Sequence, residues 1–307
     1  MNKKQYQCLM TRRELVEGIA ALSAAGVLQS GGLSQAFGQT TGKNPRIHFG
    51  AQTNAWAMDA KNFDSVLAVL DQIRQIGYGG FETGFINVMN QFESPRTARR
   101  RIERTGLIFF GVHVYLPGPL YDPSTNLPPA SLYKKIAPGG LALGAKHMIF
   151  SGKAADNAAQ LANKIAGLNA AGKYSKSVGL RLAYHNETAQ ESESELGELE
   201  ALYERTDPEY VSFLLDCGHA NEGGTNVPAF VHKHYARIIG LHLRDYKDGK
   251  QVVLGQGTFP LAELATTLKQ VRWKGWVLNE EERLDGSKHG SSYMEPAFKV
   301  MQGAFSA

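Results

Sequence analysis

Leu180-Arg181-Leu182-Ala183-Tyr184-His185, Val211-Ser212-Phe213-Leu214-Leu215-Asp216, Ile238-Ile239-Gly240-Leu241-His242 and Trp276-Val277-Leu278-Asn279-Glu280 are four short, largely apolar runs, each ending in a residue type that binds metal ions. Runs of this length, separated by helix-like stretches, fit strands buried on both faces of a parallel sheet. In a (β/α)8 barrel the C-terminal ends of such strands converge on one rim, and that rim carries the active site. His185, Asp216, His242 and Glu280 at the strand ends therefore predict a divalent-metal site with mixed nitrogen and oxygen ligands.

The same alternation extends upstream. Ile47 to Gln52 reads as a first strand, and Phe63, Val66, Leu67, Leu70, Ile73 and Ile76 recur at helical spacing after it. Strands are expected from Gly80, over Leu107 to Tyr115 and over His147 to Phe150. Helices are expected up to Arg104, over Leu132 to Leu143, Ala158 to Val178, Glu195 to Tyr203, Pro228 to Tyr235, Leu261 to Val271 and Met294 to Met301. Gly77, Gly106, Gly144 and Gly179 stand at helix-to-strand junctions. Eight strand-then-helix units predict an α/β fold, a single-domain (β/α)8 TIM barrel over residues 47–307. An open doubly wound sheet is the runner-up, but no Gly-x-Gly-x-x-Gly follows the first strand. Asp245 to Gly257, with Asp248-Gly249 at its centre, reads as a small hairpin at the barrel mouth and a candidate lid.

The chain has 307 residues, 43% hydrophobic and 20% charged, which suits an ordinary globular protein with a large core. A net charge of +4 with no dense basic, aromatic-interleaved segment argues against a nucleic-acid partner. The basic run Arg96 to Arg104 reads as the solvated face of a helix. Of two cysteines, only Cys217 falls in the body, where it reads as a packing thiol; no intramolecular disulfide framework is expected there.

Residues 1–38 read as an export signal. Arg12-Arg13 precedes an Ala/Gly-rich apolar run from Ile19 to Leu28, and Ala36-Phe37-Gly38 offers a cleavage site. This resembles a twin-arginine signal, which implies a periplasmic or otherwise exported protein that folds before translocation. The run is short and Gly-rich for a membrane span, so no stable insertion is expected after cleavage, with an uncleaved anchor as the alternative. Residues 39–46 form a spacer.

Leu254-Gly255-Gln256-Gly257-Thr258-Phe259, followed by Trp273-Lys274-Gly275-Trp276-Val277-Leu278-Asn279-Glu280, is similar to the C-terminal signature of the xylose isomerase-like barrels, the sugar phosphate isomerase/epimerase superfamily. Leu215-Asp216-Cys217-Gly218-His219 resembles that family's Asp-x-x-His, Leu241-His242-Leu243-Arg244-Asp245 its His-x-x-Asp, and Tyr184-His185-Asn186-Glu187 the fifth-strand motif of members with His there. The resemblance implies one divalent metal ion (Mn, Mg, Co or Zn) held by Asp216, His242, Glu280 and His185. His185 stands where epimerases and many isomerases carry Glu, so of their two proton-exchanging carboxylates only Glu280 remains. Inosose dehydratases and lyases acting on 3-keto-glycosides belong to the same superfamily. A homodimer comes into consideration too, since barrels of this family often form dimers.

Such a centre polarises a carbonyl and its neighbouring hydroxyl, and so favours the enediolate shared by isomerisation, epimerisation and β-elimination. Glu280 is the first candidate for the base and Glu187 the second. Glu187 lies two residues past His185, on the same side of an extended strand, unless it faces solvent in the loop. His219 is a candidate for binding a hydroxyl or protonating the leaving group. Glu82, His113 and Arg244 are candidates at the same mouth, Glu82 also as the carboxylate that orients a histidine. Trp56 is placed to stack on a sugar face. Glu191, Glu193, Glu195 and Glu198 read as capping and solvating a helix, and His232 and His234 as surface residues. The expected function is a metal-dependent sugar isomerase or epimerase acting on a sugar or polyol. A lyase or dehydratase on a keto sugar or 3-keto-glycoside is the alternative, and a non-catalytic periplasmic sugar-binding barrel the rival from another class.

Overall fold

A computed structural model describes residues 46–282 and 286–305. The expected export signal, and all of the spacer but Arg46, lie outside the described residues. Eight parallel strands close into a barrel: β1 (Ile47–Gln52), β2 (Gly80–Gly84), β3 (Ile108–Val114), β4 (His147–Ser151), β5 (Arg181–His185), β6 (Val211–Asp216), β7 (Ile238–Leu243) and β10 (Gly275–Asn279). Each pairs with its sequence neighbour in the ring. Closure comes from β1, which pairs with β2 through Gly50 and Gly80 and with β10 through Ala51 and Asn279. The remaining strands, β8 (Asp245–Lys247) and β9 (Lys250–Val252), form the expected antiparallel hairpin.

Helices α1 (Phe63–Ile76), α2 (Pro95–Arg104), α3 (Ala130–Leu143) and α4 (Ala158–Ser177) alternate with the first five strands. The short α5 (Gln190–Glu193), then α6 (Glu198–Arg205), α7 (Cys217–Glu222), α8 (Val227–His234), α9 (Leu261–Gln270) and α10 (Ser291–Phe305) complete the outer layer. Helix α1 shows the local logic. Asn62 caps its first turn by accepting from Asp64 N–H, and Gly77 ends it at φ 115°, a conformation that costs a side chain energy but not glycine. The helix expected over Glu195 to Tyr203 instead begins at Glu198, because Gly197 at φ 59° breaks the chain direction before it.

The core has two parts. Most buried apolar residues lie between strands and helices. A separate cluster of Phe110, Ile149, Ala183, Leu214 and Leu278 fills the barrel interior, with Trp276 packed against it. A Cβ on Gly80 would come within 2.5 Å of the Trp276 ring, so this indole sets glycine there. Side chains alternate along a strand, so the residues two positions beyond this plug also point inward, at the rim. Beyond Ala183, Leu214 and Leu278 stand His185, Asp216 and Glu280. Beyond Ile149 and Gly80 stand Ser151 and Glu82. The barrel plug is thus the floor of the site.

Candidate metal centre and active site

One ligand atom from each of His185, Asp216, His242 and Glu280 lies within 4.8 Å of the others, and all four residues are buried. His185 Nε2 is 3.0 Å from His242 Nδ1, 3.5 Å from Asp216 Oδ2 and 3.6 Å from Glu280 Oε2. His242 Nδ1 also touches Glu280 Oε2.

The two carboxylates divide their oxygens. Asp216 Oδ1 caps α7 by accepting from His219 N–H at 2.8 Å, while Oδ2 turns to the cluster. Glu280 Oε1 accepts from Asn54 Nδ2 at 3.2 Å, while Oε2 turns to the same point. Asp216 Oδ2 and Glu280 Oε2 are buried and make no well-aligned hydrogen bond, although the Arg244 guanidinium is ion-paired with both. Buried anionic oxygens need compensating charge; Arg244 supplies part of it, and the convergent donor set also fits a divalent cation. Two imidazole nitrogens and two carboxylate oxygens suit Zn or Mn, and the set allows other first-row divalent ions.

Neighbours fix these ligands. The Asn186 amide donates to Asp216 O at 2.9 Å and accepts from Asp216 N–H at 2.8 Å, which locks the end of β6 to that of β5. Glu82 lies 3.0 Å from His242 Nε2 through one oxygen and 2.6 Å from His113 Nδ1 through the other. The Ser151 hydroxyl donates to Glu187 Oε2 at 2.6 Å and sits 2.6 Å from His113 Nε2 and 3.2 Å from His185 Nδ1. His113, His185 and Glu187 form a second group of ligand types, but the Ser151 oxygen stands among them. That group is a hydrogen-bond network.

The charges are interdependent. Burial alone would raise the Glu82 carboxyl, but His242 and His113 bring it down to about 2. Burial alone would lower His242, but the charges of Glu280 and Glu82 push it up to about 9. Burial alone would raise the Asp216 and Glu280 carboxyls, but the Arg244 guanidinium, 2.7 Å from Asp216 Oδ2 and 2.5 Å from Glu280 Oε2, together with the neighbouring histidines holds both well below their usual range. In metal-binding terms the ligand oxygens are already deprotonated, as coordination requires.

A cavity of about 340 Å³ opens beside the centre, with Glu280, Glu187 and His113 in its wall. A model of the xylose isomerase-like TIM barrel family matches residues 70–297. The chain belongs to this family. Curated relatives include inosose dehydratases of Salmonella typhimurium, 29% identical over 136 residues (38% of this chain and 45% of the relative), and of Bacillus cereus, 29% identical over 155 residues (44% and 52%). The matched stretch thus spans about half the length of these relatives. Among solved structures, a sugar phosphate isomerase/epimerase from Parabacteroides distasonis aligns with TM-score 0.67 at 16% identity, covering 85% of this chain and 97% of that one. A 3-keto-D-glucoside 4-epimerase from E. coli aligns with TM-score 0.64 at 14% identity, covering 84% and 99%. These two likenesses concern the fold.

Within this xylose isomerase-like barrel, Glu187 faces the cavity and not open solvent, and His113 lines it too. The other expected residues lie elsewhere. Glu82 is buried and holds two histidines instead of lining the cavity. Arg244, 3% exposed, is spent on Asp216 and Glu280 and is not in the cavity wall. His219 sits on α7 with its ring toward the Tyr246 hydroxyl, 3.4 Å away, and burial brings its imidazole down to about 4. It stands behind Asp216, not in the cavity. Trp56 follows a tight turn over Thr53–Ala55 that redirects the chain, so its indole packs on Gly290 and donates to Gln72 of α1, away from any sugar.

None of the hairpin's residues line the cavity, though its Gln251 donates to the Glu280 carbonyl at 3.1 Å beside it. Asp245 pins its base by accepting from Gly255, Gly257 and Phe259 N–H groups. Glu191 and Glu198 are not solvated caps: both are fully buried around Lys164. His234 is buried against Glu200, whereas His232 is exposed as expected. Ser151 escaped the sequence reading, which ended the fourth strand one residue early. The strand-end rule itself, carried one position further, finds it.

Proposed function

We propose that this barrel is a divalent-metal-dependent enzyme that removes a proton from the carbon next to a carbonyl of a keto sugar or keto polyol. The observation that carries this reading is the convergence of Asp216 Oδ2 and Glu280 Oε2 with two imidazole nitrogens, all within 4.8 Å of one another, beside the Glu187 cavity. A divalent cation bound there supplies Lewis-acid polarisation of the substrate carbonyl. Glu187 is the base. Its side chain is 13% exposed, it faces the cavity, and it is free of the proposed ligand set. Ser151 fixes its Oε2 from behind and leaves Oε1 for the C–H proton. His113 stands in the same wall to meet a substrate hydroxyl, its ring held by Glu82.

Return of the proton to a carbon of the same substrate gives isomerisation or epimerisation, with Glu280 in the same cavity wall as a second carboxylate. The second reading, elimination, is favoured by the inosose dehydratases among the relatives. There the C–H and the β C–O bonds break, a C=C bond forms, and the departing oxygen takes up a proton as water or alcohol. We further propose that residues 1–38 direct export, as the paired Arg12-Arg13 and the apolar run after them suggest.

The test combines metal analysis of the chain purified without chelator with incubation of keto sugars and 3-keto-glycosides in D2O. About one metal per chain and deuterium at the carbon next to the carbonyl are expected. Deuterium without loss of water or alcohol marks isomerase or epimerase, and an unsaturated ketone marks lyase. No metal after addition of Mn, Co or Zn, with sugar still bound, marks a non-catalytic binding barrel.

A further inference from the structure

The cavity wall draws chemically different residues from different segments of the barrel mouth. Glu187, Glu280 and Glu282, with Gln52 and Asn54, come from the ends of β1, β5 and β10. The segments at and after the ends of β2 and β3 contribute the apolar lining, Phe85, Ile86, Tyr115, Leu116, Pro117 and Leu120, alongside the polar Asn87 and His113. Ile86, Tyr115, Pro117 and Leu120 are only partly buried by the chain. The wall is held in place, because the Tyr121 hydroxyl accepts from Leu116 N–H at 3.1 Å and a short helical turn over Gly118–Leu120 follows.

A free sugar or inositol carries a hydroxyl on nearly every carbon. Pressed on aliphatic side chains, those hydroxyls lose water and gain no partner. An apolar surface inside a polar-rimmed cavity is instead what an apolar ligand group covers. Both the carboxylates and these apolar residues lie just past strand ends, at the mouth of the barrel. Resting on the function proposed above, we propose that the substrate is a glycoside, its sugar ring against Glu187 and Glu280 and an aromatic or alkyl aglycone on the Ile86–Leu120 wall.

Unreactive glycosides test this by binding alone. Calorimetry on the full chain, with and without added Mn, compares glucose, methyl β-D-glucopyranoside and phenyl β-D-glucopyranoside. The phenyl glycoside is expected to bind roughly ten- to a hundred-fold tighter than the methyl one, as burial of a ring-sized apolar group implies. Leu120→Asp and Ile86→Asn should each reduce that preference to within about three-fold of none, with metal content and circular dichroism unchanged. Equal affinity for methyl and phenyl glycosides, no binding of any of them, or a preference that survives both substitutions overturns the inference. The outcome is separable from that of the enzymatic reading: a phenyl preference lost in Leu120→Asp, in a protein without metal or deuterium exchange, supports the aglycone wall and removes the chemistry.

Discussion

Glu82 Oε2 and His242 Nε2 lie 3.0 Å apart, both fully buried, on strands from opposite halves of the chain. With its Nε2 proton directed at Glu82, His242 would offer the Nδ1 lone pair, once a cation displaces the Nδ1 proton, to the point where His185, Asp216 and Glu280 meet. A carboxylate behind a histidine ligand fixes its tautomer and raises its basicity.

Glu82→Gln keeps the shape of the side chain and removes its charge. We expect metal affinity, measured by competition with a chromogenic chelator, to fall about 10- to 100-fold while circular dichroism is unchanged. An unchanged affinity would mean that packing alone sets the ring.

Metal binding should also be visible as stability. A ligand at a hundred times its Kd adds about 2.7 kcal/mol, which for a chain of this size is a Tm rise of roughly 5–10 °C. Asp216→Asn is the matched control, because the amide oxygen still caps α7 in the manner of Asp216 Oδ1 while the anionic Oδ2 is gone. Wild type should gain the Tm shift with Zn or Mn and lose it with EDTA. The variant should start from a lower metal-free Tm, because the buried Arg244 loses one of its two carboxylate partners, and should gain little further from metal. Equal shifts in both would place the metal elsewhere.

Much of this was legible in the sequence because it depends on short-range rules. A residue closing an apolar strand points where the strand ends, so His185, Asp216, His242 and Glu280 could be placed together before any coordinates. Glycines such as Gly77 marked the junctions for the same local reason. What escaped depends on tertiary neighbours. Glu191 and Glu198 look solvated because nothing nearby in sequence neutralises them; their partner, Lys164, lies on another helix. Trp56 looks available to a sugar until the turn before it redirects the chain. Arg244 was assigned to substrate because its partners, Asp216 and Glu280, come from strands on either side of its own.

Lys164 carries a stability prediction. Its ammonium lies 2.6 Å from Glu198 Oε1, 3.8 Å from Glu191 Oε2 and 2.9 Å from the Lys153 carbonyl, with no exposure at Lys164 or either carboxylate. Burial pushes Glu191 up to about 7 despite the pull of Lys164. Lys164→Met leaves Glu198 buried and unpaired, and should cost about 3–5 kcal/mol in urea unfolding. Adding Glu198→Gln should recover a large part, because the amide still accepts from Ala155 N–H as Glu198 Oε2 does at 2.7 Å. A double variant as unstable as the single one would assign the loss to packing of the lysine stem.

The pH dependence has a distinct contributor at the opposite end of the barrel. His147 starts β4 and donates from Nδ1 to Phe110 O at 2.8 Å; burial brings its imidazole down to about 4 from 6.5. The unfolded chain therefore binds the extra proton first. The stabilisation is complete above pH 6.5 and is lost as pH falls toward 4, about 2–3 kcal/mol in all. In His147→Phe, which keeps a ring beside Phe110, stability should fall less steeply across that window. Parallel stability–pH curves for the two proteins would assign the acid sensitivity wholly to other groups.

Glu187 separates chemistry from metal binding. Glu191 Oε1 accepts its backbone N–H at 3.2 Å, and Ser151 holds its side chain, so Glu187→Gln is built into the same position. The amide has no basic oxygen, and loss of a positioned general base costs about 100- to 10,000-fold in rate. Solvent deuterium exchange next to the substrate carbonyl should fall by that factor, with metal content and KM little changed. A fall in metal content instead would make Glu187 part of the ligand set. Full exchange in Glu187→Gln would pass the base role to Glu280, whose Oε1 is held by Asn54 at the cavity wall.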